Sequence, residues 1–300
     1  MSSATASSSH ARPAATASSS PRLTRWLALS PGLALIVGLM VVPLSSMLLI
    51  SFRPESFGQI LPEFTLANYI GLLTDPSRLA LFGYTFGIAA LVTLLCAVLG
   101  LPVAAMIARA PARWRGLLYF VVAAPLLVNT VVRSYGWLLI LGRKGLLNTL
   151  LIEGGLIDSP LALSGNMIGL VIGATQVFLP FMILSLATSL LAIDRRLLES
   201  ADVLGAGPVR AFMTVTLPLA VPGLIAGSVL VFSLMLGAFV TPLILGGTAV
   251  KYLSVAVYTD ALVLFNLPRA TALSLLLMVA VLFVYFVQKR LTRRAEEALT

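Results

Sequence analysis

Long stretches without a charged side chain constrain this chain more than any other feature. No Asp, Glu, Lys or Arg occurs between Arg25 and Arg53, Arg78 and Arg109, Asp158 and Asp194, Arg210 and Lys251, or Arg269 and Lys289. A further apolar stretch, Gly116 to Leu141, is interrupted only by Arg133. A helix crosses the roughly 30 Å of bilayer hydrocarbon with about 20 apolar residues, because each adds about 1.5 Å. Six candidate spans follow, near Trp26 to Phe52, Leu81 to Ala108, Leu117 to Leu141, Met167 to Ala192, Pro222 to Leu245 and Ala270 to Gln288. The window after Arg210 has room for two short spans, yet Pro218, Pro222, Pro242 and the Gly246-Gly247 pair punctuate it as loop, one helix, loop. The expected fold is all-α: a polytopic membrane protein with six transmembrane helices. Composition excludes a soluble globular enzyme, since only 10% of residues are charged against about a quarter in a water-soluble domain.

Six spans place both termini on one side, and the basic residues say which. With the termini inside, the inner segments hold thirteen Lys and Arg and the outer loops six. Arg109, Arg113, Arg115, Arg195, Arg196, Arg210, Lys289 and Arg290 are among those flanking spans on the inner side. That asymmetry predicts cytoplasmic termini by the positive-inside rule. It also accounts for the formal net charge of +9 without nucleic acid, which would need basic residues clustered on one face.

The first twenty residues contain eight serines and six alanines with Arg12 and no acid, so residues 1–24 are expected to be a disordered cytoplasmic tail. An organellar transit peptide has a similar composition, but this stretch lacks an apolar helical face. The domain expectation is completed by a six-helix transmembrane domain over 25–290 and a short cytoplasmic tail over 291–300. Cys96 lies inside an apolar run and His10, the single histidine, in the tail; neither a disulfide framework nor a metal cluster is expected. The chain has no G-x-x-x-x-G-K-S/T phosphate loop, so it does not cradle ATP by that device. A membrane-embedded enzyme lacks the paired nucleophile and base it would need. A proton-coupled carrier lacks the membrane-embedded acid expected of it.

The outer loops carry short helical signals. In the first, Asp75 before Pro76 is a capping pair leading into the second span, preceded by a short interfacial helix at Leu66-Ala67-Asn68-Tyr69. In the second, Leu146, Leu147, Leu150 and Leu151 share one helical face and Asn148 and Glu153 lie off it. Such helices either cover the bundle or form a docking surface for an extracytoplasmic partner. Arg133, the one clear charge inside a span, lies towards the outer end of the third with Tyr135 and Trp137 beside it. It either snorkels to the interface or has a role of its own, on a path through the bundle or in contact with an outer partner. Asp260, in the third outer loop, is read as a solvated acid, with a meeting with a cationic solute as the alternative.

The inner loop AIDRRLLESADVLGAGPVRAFMTVTLPLAVPG is patterned differently. Asp194 is placed to cap a helix whose Leu197, Leu198, Ala201 and Leu204 form an apolar stripe, while Arg195, Arg196, Glu199 and Asp202 decorate the rest. Gly205, Gly207 and Pro208 stop it. Such a helix fits a groove on a cytoplasmic partner or rests on the membrane surface.

Glu199-Ser200-Ala201, then Gly205, then Val215, Leu217 and Pro218 resemble the E-A-A, three residues, Gly, nine residues, Ile, one residue, Leu-Pro signature of membrane subunits of binding-protein-dependent ABC importers. Ser200 replaces Ala and Val215 replaces Ile. Asn129 to Gly136, Gly145-Leu146-Leu147-Asn148, Gly155-Leu156-Ile157-Asp158, Leu179-Pro180-Phe181-Met182 and Pro222-Gly223 are similar to the B-type permease of spermidine/putrescine importers. The resemblance implies the type I ABC importer permease fold in a bacterial inner membrane. It implies a second permease, two copies of a cytoplasmic ATPase subunit and a solute-binding protein as partners, with no cofactor held by this chain. It implies that Glu199, Ser200, Ala201, Asp202, Gly205, Leu217 and Pro218, within 193–218, couple to the ATPase. A polyamine is the first solute it suggests, ahead of an opine, a phosphonate or another small organic ion.

Overall fold

The structure, a computed structural model, describes residues 21–297, without the side chains of residues 21–29, 33, 195, 198, 199, 202, 208, 288 and 291–297. His10 and most of the tail expected over 1–24 lie outside the described residues. The chain divides into two compact units, Met1–Met47 and Leu48–Thr300. The first carries most of helix α1 (Pro21–Ser51), which starts ahead of Trp26 and contains Pro31 and Pro43.

In the second unit a two-residue-per-strand hairpin, β1 (Glu55–Ser56) with β2 (Gln59–Ile60), precedes α2 (Ala67–Thr74) and α3 (Pro76–Arg109). Then come α4 (Ala112–Ala123), α5 (Thr130–Leu141), α6 (Leu146–Glu153) and α7 (Met167–Leu191). The short α8 (Arg195–Val203) and α9 (Pro208–Ala211) lead through a π-helical turn into α10 (Leu217–Gly237); α11 (Leu253–Tyr258) and α12 (Leu267–Glu297) end the described chain. Asp75 caps α3 as its sequence suggests, its Oδ1 accepting from Ser77 N at 2.8 Å with Pro76 in the first turn.

The core lies where α3, α7 and α10 meet, with Ile88, Val92 and Ala104 of α3, Leu170, Met182 and Leu186 of α7, and Val231 and Met235 of α10 fully or almost fully buried. Between helices already in an apolar solvent, close packing and hydrogen bonds provide the attraction, so small residues gather at crossings. Gly227 is such a residue: a Cβ there would stand 2.7 Å from Met182 Sδ and 3.2 Å from Ser185 Cβ. Ser185 also donates to Gly223 O at 3.0 Å, fastening α7 to α10.

Among the described residues five helices are long and apolar enough to cross a membrane, and a sixth crossing is obtained when one bent pair counts as a single span. That pair corrects the uninterrupted span expected over Leu117 to Leu141: the segments Ala112–Leu127 and Thr130–Glu153 meet at 91°. The cause is local. Val128 and Asn129 are extended, and Asn129 Oδ1 accepts from Val131 N at 2.8 Å, starting a new helix. The fifth span is shifted as well, occupying Val209–Gly237 rather than Pro222 to Leu245. Pro218 and Pro222 are accommodated in the first turns of α10, and Ala238 ends it in an extended conformation.

The second outer loop forms the short helix expected of it, α6. Asn148 is fully buried, whereas Leu146 and Leu150 are exposed. Its amide donates to Gly142 O at 2.9 Å and Leu161 O at 3.0 Å, and Oδ1 accepts from Leu161 N at 2.8 Å. The buried amide ties three backbone groups together: Leu161 N depends on it for a partner, while Gly142 O and Leu161 O also accept from Gly145 N and Leu163 N.

Candidate functional site

The two ends of α3 define two candidate sites. With 34 residues at about 1.5 Å each, α3 separates them by about 50 Å. Its C-terminal residues Leu101, Met106 and Arg109 line a groove of about 750 Å³ together with Val209 and Phe212. Its N-terminal Arg78 belongs instead to an ion cluster with the segment before α12.

At the first end, Asp194 Oδ1 accepts from Arg196 N at 3.0 Å and begins α8, as its capping position suggests. The helix ends on Gly205 with φ +77, a left-handed conformation that costs an L side chain roughly 1–2 kcal/mol. Ala206 N then donates to Ala201 O at 3.0 Å, the long-range bond of a Schellman cap. Ala201 is buried and Ser200 Oγ donates to Arg196 O at 2.7 Å, so both brace the helix from within. The side chains of Glu199 and Asp202 lie outside the described residues. Val203 and Leu204 are 88% and 86% exposed, with Leu197, Val209 and Met213 half-exposed or more. Leu217 and Pro218 open α10, so a displacement of α8 reaches a membrane-length helix through one short, hydrogen-bonded segment. Nearby, Arg115 Nε donates to Ala110 O at 3.0 Å and closes the C-terminus of α3.

At the other end, Asp260 is neither solvated nor open to a cation, contrary to the expectation from its loop position. Its carboxylate is 3% exposed. Arg269 grips it through two bonds, Nη2–Oδ1 at 2.6 Å and Nε–Oδ2 at 3.0 Å, and Arg78 Nη1 stands 3.5 Å from Oδ2. This two-pronged geometry is the strongest form of a carboxylate–guanidinium pair. Asn266 extends the network, donating to Glu55 Oε2 at 2.9 Å and accepting from Arg269 N through Oδ1. Tyr252, fully buried, donates to Met235 O and Leu253 N donates to Thr85 Oγ1 at 3.0 Å, pinning α11 to α10 and α3.

Arg133, Tyr135 and Trp137 stay on one helix without forming one cluster. Trp137 Nε1 donates to Gln176 Oε1 at 3.2 Å and ties α5 to α7. Tyr135 is exposed. Arg133 bonds Thr130 Oγ1 through Nη2 at 3.4 Å, and its Nε and Nη1 are buried without a protein partner. No group of three or more metal-binding side chains occurs among the described residues. Arg78, Arg269 and Asn266, the partners of Asp260, were not singled out by sequence; the Asn266-Leu267-Pro268 start of α12 was the available signal.

Comparison with known proteins fits this geometry. Residues 100–297 match the family model described as binding-protein-dependent transport system inner membrane component. The chain is 35% identical over 236 residues to the spermidine/putrescine transport system permease protein PotB of Haemophilus influenzae, covering 78% of this chain and 82% of that one. It is 34% identical over 237 residues to PotB of Escherichia coli, covering 78% and 86%. In fold it is similar to a bacterial ABC transporter involved in the import of the acidic polysaccharide alginate, with a TM-score of 0.76 at 18% identity, covering 91% of this chain and 96% of the other. The chain belongs to the family of binding-protein-dependent transport system inner membrane components, multi-pass proteins of the inner membrane whose role is transport.

Proposed function

We propose that this chain is one permease of an ATP-driven importer for a polyamine of the spermidine or putrescine kind. The observation that carries the solute is its identity of 34 to 35% over 78% of its length to the two PotB proteins. A second permease, two ATPase subunits and a solute-binding protein complete the assembly. In this reading both termini and the segment 193–218 face the cytoplasm, in keeping with the thirteen-to-six distribution of basic residues.

In this reading α8 is the coupling element. Its capped, glycine-terminated form makes it a rigid peg, and Val203 and Leu204 offer an apolar tip for a groove on the ATPase. When the ATPase dimer closes on nucleotide, the peg moves with it, and the continuous passage through Leu217 and Pro218 transmits the motion into α10 as a rigid-body tilt. The close packing of α10 on α7 and α3 spreads that tilt to the core. The solute path alternates between outward and inward access as a result.

Arg133, with Tyr135 and Trp137 on the same helix, is placed on the solute path or against the binding protein in this reading. The orphaned Nε and Nη1 of Arg133 favour a second reading, an importer of the same class for an anionic organic solute, because buried guanidinium donors call for an acceptor. The test is uptake into proteoliposomes holding the complete importer, with ATP on the ATPase side and labelled spermidine, putrescine or an organic phosphonate outside. ATP-dependent spermidine or putrescine uptake is expected; phosphonate uptake alone would overturn the polyamine assignment.

A further inference from the structure

Among the described residues only two non-glycine positions have positive φ, Phe57 at 50° and Phe265 at 53°. Both are phenylalanines, and both are highly exposed, at 103% and 68% of their free area. The left-handed region is a genuine outlier for a bulky side chain, and strain of this kind persists where surrounding structure holds it. At Phe57 the holding is clear. The hairpin pairs Glu55 with Ile60 and Ser56 with Gln59, leaving Phe57 and Gly58 as a two-residue turn, both with positive φ. Asn or Gly suits the first of these positions; here a large apolar ring stands there instead. Gly58 N donates to Glu55 Oε1 at 2.5 Å and locks the turn.

Phe265 belongs to a different part of the chain, yet the two loops are joined. Glu55 Oε2 accepts from Asn266 Nδ2 at 2.9 Å, and Asn266 N donates to Asp260 O at 2.8 Å. The ion cluster of Asp260 with Arg269 and Arg78 fixes the second loop from below. The same polar scaffold therefore holds both strained rings out of the protein, at the end of α3 opposite α8.

Resting on the importer reading above, which makes this the extracytoplasmic end, we propose that Phe57 and Phe265 form a two-pronged apolar seat for the solute-binding protein. The occupant is argued from the surroundings. Arg78 and Arg269 keep 25% and 31% of their side chains exposed, and exposed Lys251 lines, with Arg78, Asp75 and Leu264, an open groove of about 460 Å³. Hydrocarbon would penalise these solvated ions, which rules against an outer-leaflet lipid as occupant. Aromatic anchors ringed by solvated charge are the anatomy of a reversible protein interface. A permanent interface with the second permease would be larger and continuously apolar. The family is defined by dependence on a binding protein, which supplies a reversible partner.

The test uses the complete importer in lipid nanodiscs and the binding protein that stimulates its ATPase. Glycine adopts positive φ freely, so Phe57→Gly and Phe265→Gly remove the rings while relieving the backbone. Each is expected to weaken binding-protein affinity several-fold and both together at least tenfold, with basal ATP hydrolysis and thermal midpoint retained. Wild-type affinity in the double variant overturns the seat. A nitroxide on Phe57→Cys reports the occupant, because Cys96 is buried and stays unlabelled. Collisions with an aqueous nickel chelate are expected without binding protein and their suppression on its addition. Oxygen-favoured collisions typical of lipid, or shielding by the second permease alone, overturn the assignment. A wild-type importer whose ATPase no binding protein stimulates would instead sink the importer reading, and the seat's partner with it.

Discussion

The two ends of the bundle are built in opposite ways. At the end that carries α8, the bonds that shape the candidate site among the described residues are local: Asp194 to Arg196, Ser200 to Arg196, Ala206 to Ala201. At the other end Glu55, Arg78, Asp260, Asn266 and Arg269 come from three separate segments and are held by ion pairs and side-chain bonds between them. A locally determined peg keeps its shape while it moves as a body, which suits transmission of motion. A cluster assembled from distant segments stiffens only when all of them are in place, which suits a fixed frame for docking.

Four substitutions probe that contrast, two at each end. The largest loss is expected for Asp260→Ala, which leaves Arg269 and part of Arg78 facing a cavity with no counter-charge. Breaking one partner of a buried pair costs about 3–5 kcal/mol; Arg269 and Arg78 keep 31% and 25% of their side chains exposed, so the low end of that range is expected, and thermal midpoint and membrane abundance should fall together. Asn148→Leu comes next: Leu161 N loses its partner, while the carbonyls of Gly142 and Leu161 keep Gly145 N and Leu163 N, so the cost is about 1–3 kcal/mol for the one group left unpaired. A lowered thermal midpoint with ATPase coupling intact in the surviving protein is the expected outcome.

At the other end the prediction reverses. Gly205→Val costs about 1–2 kcal/mol of local helix-end stability through its positive φ, little of which reaches the global thermal midpoint. Uptake should nevertheless be lost while ATP hydrolysis continues, because the peg no longer ends where it must. Asp194→Ala removes only the first cap, worth about 1 kcal/mol, and should lower uptake per ATP partially. If Gly205→Val or Asp194→Ala instead destabilised the whole protein as Asp260→Ala does, the contrast between the ends would be broken.

The same contrast explains what was legible in the sequence. Membrane helices, the Asp75-Pro76 cap and the α8 peg rest on contiguous patterns, and each is visible as spacing. The break in the third span also had a local signal, Pro125 followed by Asn129, but its apolar neighbours read as one uninterrupted helix. The burial of Asn148 and the pairing of Asp260 had none. Asn148 sits among leucines that share one helical face, and what buries it is the backbone at Gly142 and Leu161 that only the fold brings within reach. Asp260 reads as a loop acid because its counter-ions, Arg78 and Arg269, are placed by the packing of α3 and α12. The Phe57-Gly58 turn has no Asn or Asp at its first position to mark a two-residue hairpin, which forms around a phenylalanine instead.

The most direct test of the coupling account places a photo-crosslinking side chain at Val203, the exposed tip of α8, in the complete importer. Illumination should yield an adduct with the ATPase subunit, and its yield should differ between the nucleotide-free and ATP-bound states as the peg is carried between positions. Adducts confined to lipid, with no ATPase adduct in either state, would contradict the assignment of 193–218 as the coupling segment.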